Sequence, residues 1–317
     1  MKNIQADIKS GNFKQVYLLY GEEAYLKQQY KQNLVKALNP DGDTMNFNHY
    51  EGKGIDVKQL IDLCETMPFF AERRVVLLED TGFFKNKCEE LADYMKELPD
   101  YLYLVFAETE VDKRNRMYKA VKACGSIAEF IRQDEKTLMR WAAGILGKAG
   151  KKITQRDMEL LLTKTGTDMG NLRMEMEKLI SYTEGRDVVT AEDIEEICTT
   201  QTTNRIFDMV RAVTEKNQKR ALELYYDLLT LKEPPMRILF LLAKQYRQLL
   251  LAKQFAAAGL AQTEIGSKLG VPGFVVKNIT TCARAYTISE LEQAVKDFVD
   301  AEESVKTGRL EDKLSVE

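Results

Sequence analysis

The 317-residue sequence predicts an α/β domain with a mostly parallel sheet, followed by an all-α remainder. Three observations carry this reading. Short apolar runs rich in strand formers alternate with helical patterns over about the first 130 residues, the mark of a sheet covered on both faces. Beyond Phe130 the strand-like runs stop, and apolar residues recur at helical spacing to the end of the chain. No window approaches eighteen consecutive apolar residues, so no membrane-spanning helix is expected.

The elements follow in order. Val16–Tyr20 (VYLLY) reads as a buried strand and the segment from Tyr25 to Leu38 as the helix after it. His49 lies in NFNHYEG, a strand or surface position. Asp56 is an N-cap candidate for a helix marked by Val57, Leu60, Ile61 and Cys64, which must end before Pro68. Arg74–Glu79, Tyr101–Phe106 and Ile127–Phe130 complete the strands. Next, Leu160–Leu162 closes a helix before Gly166, and Leu172, Met176, Leu179 and Ile180 mark another. Thr190 to Asp193 resembles a capping box. The small polar run Cys198–Asn204 suits a linker, and Pro234-Pro235 breaks the long helices that follow.

Composition excludes several classes of function. Hydrophobic residues make up 44% and charged residues 30%, the profile of a globular protein with a highly charged surface. A single histidine removes the usual metal ligand and proton carrier, so neither a metal nor a cofactor is expected. Five cysteines stand singly with no CxxC spacing, which reads as reduced, mostly buried thiols. No Ser-His-Asp or Cys-His arrangement is present, so no catalytic residue is assigned. The net charge of −3 rules out a polycation that coats nucleic acid, leaving any DNA contact local or shared with partners. The segment MKNIQADIKSGNF lacks the apolar core of a signal peptide, and the expected compartment is the cytoplasm.

Four motifs carry chemistry. Gly21-Glu22-Glu23-Ala24-Tyr25-Leu26-Lys27-Gln28 sits where a phosphate-binding loop would sit, between a buried strand and a helix. A working loop needs G-x-x-x-x-G-K-[ST], and here the second glycine and the hydroxyl are missing. Glu22 and Glu23 are expected to place negative charge where a polyphosphate would lie and to satisfy the helix end themselves. Glu79-Asp80, where an ATPase keeps its magnesium-binding acids, then reads as an acidic strand end. In Glu65-Thr66-Met67-Pro68-Phe69-Phe70, two adjacent phenylalanines fall at a helix end where one face cannot bury both. Either one plugs the core, or the pair protrudes as an anchor for a partner. Lys113, Arg114, Arg116 and Lys119 form the densest basic cluster, a solvated face or a contact with DNA or an acidic partner. Residues 262–278 mimic a helix-turn-helix around Gly270, but Phe274-Val275-Val276 offers only Lys277 and Asn278 to base edges, so packing within a bundle is the expectation.

Taken together, VYLLYGEEAYL, ETMPFFAERRVV, LEDTGFFK, VDKRNRMYKAV, GTDMGNLRMEMEKL, IFDMVRAV and ESVKTG resemble, in order and spacing, the delta subunits of the bacterial DNA polymerase III clamp loader. The resemblance implies an ATPase-like (AAA+-type) parallel-sheet domain at residues 1–131, a small helical lid domain at 132–203 and a helical collar domain at 204–317. It also implies a subunit of a DNA-directed DNA polymerase holoenzyme that hydrolyses no ATP itself. The implied partners are the sliding clamp, the ATPase and delta-prime subunits of the loader, and primed DNA through the assembled complex, with no membrane contact. The family's clamp-binding element maps onto Glu65 to Phe70. Met67 would enter the clamp pocket, Phe69 and Phe70 would form the aromatic wedge, and Pro68 would set the turn. Glu65 departs from the glutamine that often begins such peptides. Lys113, Arg114, Arg116 and Lys119, with Lys306 and Arg309 in the collar, are the candidates for contacts with DNA or neighbouring subunits. Two alternatives remain open at this point: an active ATPase of the same superfamily, and a DNA-binding helix-turn-helix regulator.

Overall fold

The computed structural model describes residues 2–199, 202–271 and 273–317, and of Lys2, Thr203 and, in the helix-turn-helix-like segment, Phe274 only the backbone. Thr200 and Gln201 of the expected linker and Pro272 of that segment lie outside the described residues. The chain divides into two compact units, Met1–Gln133 and Asp134–Glu317.

The first unit runs α1 (Lys2–Ser10), β1 (Val16–Tyr20), α2 (Ala24–Leu38), β2 (Phe47–Glu51), α3 (Val57–Glu65), β3 (Arg74–Glu79), α4 (Glu89–Tyr94), β4 (Leu102–Glu108), α5 (Arg116–Cys124) and β5 (Ser126–Glu129). The five strands form one sheet in the order β2-β3-β4-β1-β5, and every neighbouring pair is parallel. Side chains alternate across a strand, so β1, apolar throughout, feeds two cores. Val16, Leu18 and Tyr20 pack with Leu60, Cys64, Phe84, Met117 and Val121 on one face. Tyr17 and Leu19 pack with Ile4, Leu34, Leu38 and Phe130 on the other. Each such side chain removed from water contributes roughly 1.5–3 kcal/mol, which holds the sheet between its helices. The edge strand β2, with FNHYE, is only partly buried; the sequence pattern there marked no more than the neighbourhood of His49.

The second unit begins with α6 (Glu135–Lys148), β6 (Lys152–Ile153), α7 (Gln155–Thr165), α8 (Met169–Tyr182), β7 (Val188–Val189) and α9 (Ala191–Ile197). Strands β6 and β7 form a two-residue parallel ladder, so the expectation that strands end at Phe130 is corrected. They are too short to leave a period-2 pattern in the sequence. The Thr190–Asp193 capping box is formed, with Asp193 N–H bonded to Thr190 Oγ1 and Thr190 N–H to Asp193 Oδ2. The unit continues with α10 (Thr202–Thr214), α11 (Gln218–Thr230), α12 (Pro235–Ala257), α13 (Gln262–Leu269), α14 (Gly273–Ala283) and α15 (Ile288–Lys306). Thr202 to Asn204 belong to α10 rather than to a linker: Ile206, Met209 and Val210 form a buried face that carries the helix through polar residues of modest propensity. Pro235 opens α12, where its missing N–H is no loss. Residues 142–198 and 206–291 contribute to two distinct apolar cores.

Candidate functional site

At the carboxyl end of β1 the chain turns through Gly21, whose φ of +125° suits glycine, and the turn is packed against strand β5 and its exit. A Cβ at position 21 would lie 2.3 Å from the carbonyl oxygen of Phe130. That same carbonyl accepts a 2.9 Å bond from Glu23 N–H, and Phe130 N–H donates to Tyr20 O at 2.7 Å. A phosphate needs such loop N–H groups directed toward it, and this one is committed within the fold. Lys27 is committed as well: its Nζ donates to the Glu108 backbone carbonyl at 2.9 Å. Burial pushes the Lys27 ammonium below the usual lysine value, while Asp80, Glu108 and Glu79 pull the other way. The two loop acids part company. Glu22 is exposed and pairs with Arg132 Nε at 3.5 Å, and Glu23 is buried. Glu23 makes no side-chain cap on α2, so the expectation that both acids satisfy the helix end is corrected.

The acids at the strand ends are also internally used. Glu79 bridges Lys31 Nζ at 2.6 Å and His49 Nε2 at 2.9 Å. Asp80 Oδ1 accepts from the N–H and hydroxyl of Thr109 at 2.9 and 2.8 Å. Burial raises the Glu108 carboxyl above its usual range, and bonds from Thr81 and Gly82 partly offset this. Among the described residues, no group of three or more His, Cys, Asp or Glu side chains is placed to hold a metal ion.

The Met67–Phe70 turn has the opposite character. Asp56 caps α3, accepting from Lys58 N–H and Gln59 N–H at 2.9 and 3.2 Å, and the helix ends at Glu65 ahead of Pro68. Met67 is 74% exposed, Phe69 56% and Phe70 95%. Neither phenylalanine plugs the core, which resolves that alternative. Their rings meet edge to face with centroids 4.5 Å apart, and Phe70 takes the left-handed φ of +49°. Beneath the turn lie buried polar supports. Arg74 donates from Nε to Thr66 O at 2.9 Å and from Nη2 to Met67 O at 3.3 Å. The Asn46 amide brackets Phe69, accepting its N–H at 2.6 Å and donating to its carbonyl at 2.8 Å. Tyr101 OH reaches Glu65 O at 2.8 Å. Met45, next to Asn46 in the chain, is also exposed. Asn46, Arg74, Tyr101 and Met45 escape sequence reasoning. The one signal is an arginine opening a strand whose next four residues are apolar.

The basic candidates are mostly neutralised locally. Lys113 pairs with Glu129 at 2.8 Å, Arg114 with Asp112 at 3.1 Å and Arg116 with Asp93 at 2.7 Å, while Lys119 is exposed. In the second unit Lys306 pairs with Glu302 at 2.5 Å and Arg309 with Glu303 at 3.0 Å. The helix-turn-helix outline is present: Gly270 ends α13 in the left-handed region and α14 follows. Val276 and Ile279 of α14 are buried in the bundle core together with Ile265 of α13, so the pair packs inward as the sequence predicts.

A parallel five-stranded sheet with a loop of phosphate-binding outline after its first strand, followed by helices, defines the class: a mixed α/β chain with a helical C-terminal part. Residues 17–130 match the family model for the DNA polymerase III delta subunit, and residues 203–317 match the model for that subunit's C-terminal domain. The chain belongs to the DNA polymerase III delta subunit family, whose members are part of the replicative holoenzyme. It is 26% identical over 328 residues to the DNA polymerase III subunit delta of Bacillus subtilis, covering 99% of this chain and 94% of that one. It is 22% identical over 276 residues to a probable DNA polymerase III subunit delta of Aquifex aeolicus, covering 83% and 77%. The solved structure of the Bacillus subtilis DNA clamp loader delta protein superposes with a TM-score of 0.67 at 24% identity, over 99% of this chain and 96% of that one. Among the described residues, no helix is long and apolar enough to cross a membrane.

Proposed function

We propose that this chain binds the sliding clamp through the Met67–Phe70 turn and springs one interface of the ring, without hydrolysing ATP. One observation carries the proposal. Three large apolar side chains, Met67, Phe69 and Phe70, stand in water on a turn whose backbone is hydrogen-bonded from below. Two exposed phenylalanines inserted into a partner pocket contribute on the order of 3–6 kcal/mol, enough to dominate an interface. A wedge of this kind opens a ring only by the difference between its affinities for the open and the closed form. The ATPase subunits of the loader would supply the energy. Delta-prime would complete the ring, and primed DNA would be met by the whole complex in the cytoplasm.

Absence of ATP hydrolysis rests on the loop at Gly21, whose lysine and one of whose N–H groups are spent internally. In this reading residues 1–131 are the ATPase-like domain, 132–203 the lid and 204–317 the collar. The separate apolar cores on either side of residue 200 support the second boundary.

The test is clamp binding by the Phe69→Ala, Phe70→Ala double variant. A loss of more than about 2 kcal/mol with folding intact is expected, and unchanged affinity would sink the assignment. ATP titrated onto the purified chain is expected to give no binding; micromolar affinity abolished by Lys27→Ala would favour the ATPase reading instead.

A further inference from the structure

The turn from Thr66 to Phe70 has a mechanical problem. Its large side chains face water and bury little, so they do nothing to fix the backbone that displays them. The backbone is instead fixed by two side chains from elsewhere in the sequence. Arg74, 6% exposed, spreads its guanidinium over Thr66 O, Met67 O and Asn48 Oδ1. Asn46, 4% exposed, grips both polar groups of Phe69, the residue between Pro68 and the left-handed Phe70.

Asn46 is itself locked. Its backbone carbonyl accepts from Val75 N–H at 2.9 Å, and its Nδ2 also donates to Asp43 Oδ2 at 2.5 Å. The amide orientation is therefore dictated: oxygen toward Phe69 N–H, nitrogen toward Phe69 O and the Asp43 carboxylate. No other side chain of the same shape serves, because a carboxylate would set oxygen against the Phe69 carbonyl and a second negative charge against Asp43.

Resting on the clamp-binding reading above, we propose that Asn46 and Arg74 are positioning residues that hold the turn in its clamp-competent conformation before the clamp arrives. A turn held in advance loses less freedom on binding. When the competent conformation is only partly populated, apparent affinity falls by that fraction.

The informative variant is Asn46→Asp in the full chain, which keeps the volume and removes the donor. Hydrogen exchange should show the Phe69 amide protected in the wild type despite its exposed ring. In Asn46→Asp that amide should exchange at least about tenfold faster while the amides of β3 keep their rates. Clamp binding, measured with purified cognate clamp, should weaken about tenfold, chiefly through slower association, as a competent population of about a tenth requires. Arg74→Lys, which gives up the fork but keeps the charge, should weaken binding in the same manner.

Wild-type exchange of the Phe69 amide at the rate of an unstructured peptide overturns the proposal without any variant. So does Asn46→Asp binding within about twofold of wild type while the Phe69→Ala, Phe70→Ala variant has lost the clamp. If that double variant itself binds normally, the clamp-contact reading fails first and the positioning role goes with it.

Discussion

Phe70 combines 95% exposure with a left-handed backbone, an arrangement that no buried contact compensates. The left-handed region costs an ordinary residue about 1–2 kcal/mol, and glycine escapes that penalty while giving back roughly 0.5–1 kcal/mol of chain entropy. Phe70→Gly should therefore be more stable than Phe70→Ala by about 0.5–1 kcal/mol in urea denaturation, while both weaken clamp binding. A stabilised variant that has lost its partner would identify the strain as serving function. The sequence narrowed the phenylalanines to two readings, because Pro68 ends the helix and leaves no single face for both, and the fold selects the exposed pair. Their supports were not. Asn46 and Phe69 are 23 residues apart and meet only because β2 pairs with β3. The loop acids were legible as a departure from a phosphate site, but the separate surroundings of Glu22 and Glu23 depend on Arg132 and on the exit of β5, which no local pattern encodes.

At the scale of elements, caps and ends carry the consequences. Asp56 is exposed and its carboxylate satisfies two N–H groups of α3. Asp56→Ala should lower stability by about 1 kcal/mol, read from the urea midpoint. In α9 the Asp193 carboxyl is pushed upward by burial, yet bonds from Thr190 and the Arg186 guanidinium outweigh this and hold it below the usual range. A depressed carboxyl stabilises the fold fully above the ordinary Asp value of about 3.9, and that contribution is lost as pH falls through the lower, folded value. Stability measured from pH 7 down to pH 2 should fall less steeply in Asp193→Asn than in wild type. Long apolar elements and the Thr190 capping box were readable because period and cap chemistry are local. The β6–β7 ladder was not, because a two-residue strand has no period and is made by its partner.

For the whole molecule, the thiols report which parts are closed. Cys64, Cys198 and Cys282 are buried and Cys124 is exposed. Burial pushes the Cys64 and Cys198 thiols up to about 12. Iodoacetamide at neutral pH should label Cys124 in the folded chain and reach those two only after unfolding, as read by peptide mass spectrometry. Early labelling of Cys198 but not Cys64 would mean that the second unit opens independently of the first. The division into a sheet-bearing part and a helical part was visible from the sequence, since the change of period at Phe130 is a bulk property. Charge neutralisation was only partly visible: Lys113 and Arg116 read as part of a basic cluster until the fold brings Glu129 and Asp93 beside them, whereas Lys306 and Glu302 are an i, i+4 pair on α15.

The bond from Lys27 to the carbonyl of Glu108 bears on what it would take to make this loop hold a polyphosphate. Restoring the missing glycine and hydroxyl by mutation would repair the motif on paper, but the lysine would still be serving as a strut between α2 and the end of β4. Freeing it would take a donor from that carbonyl and loosen the joint, so the first step toward such a site is uphill. The lysine works here as a rivet, and a designer wishing to open the loop to phosphate must first supply another fastener.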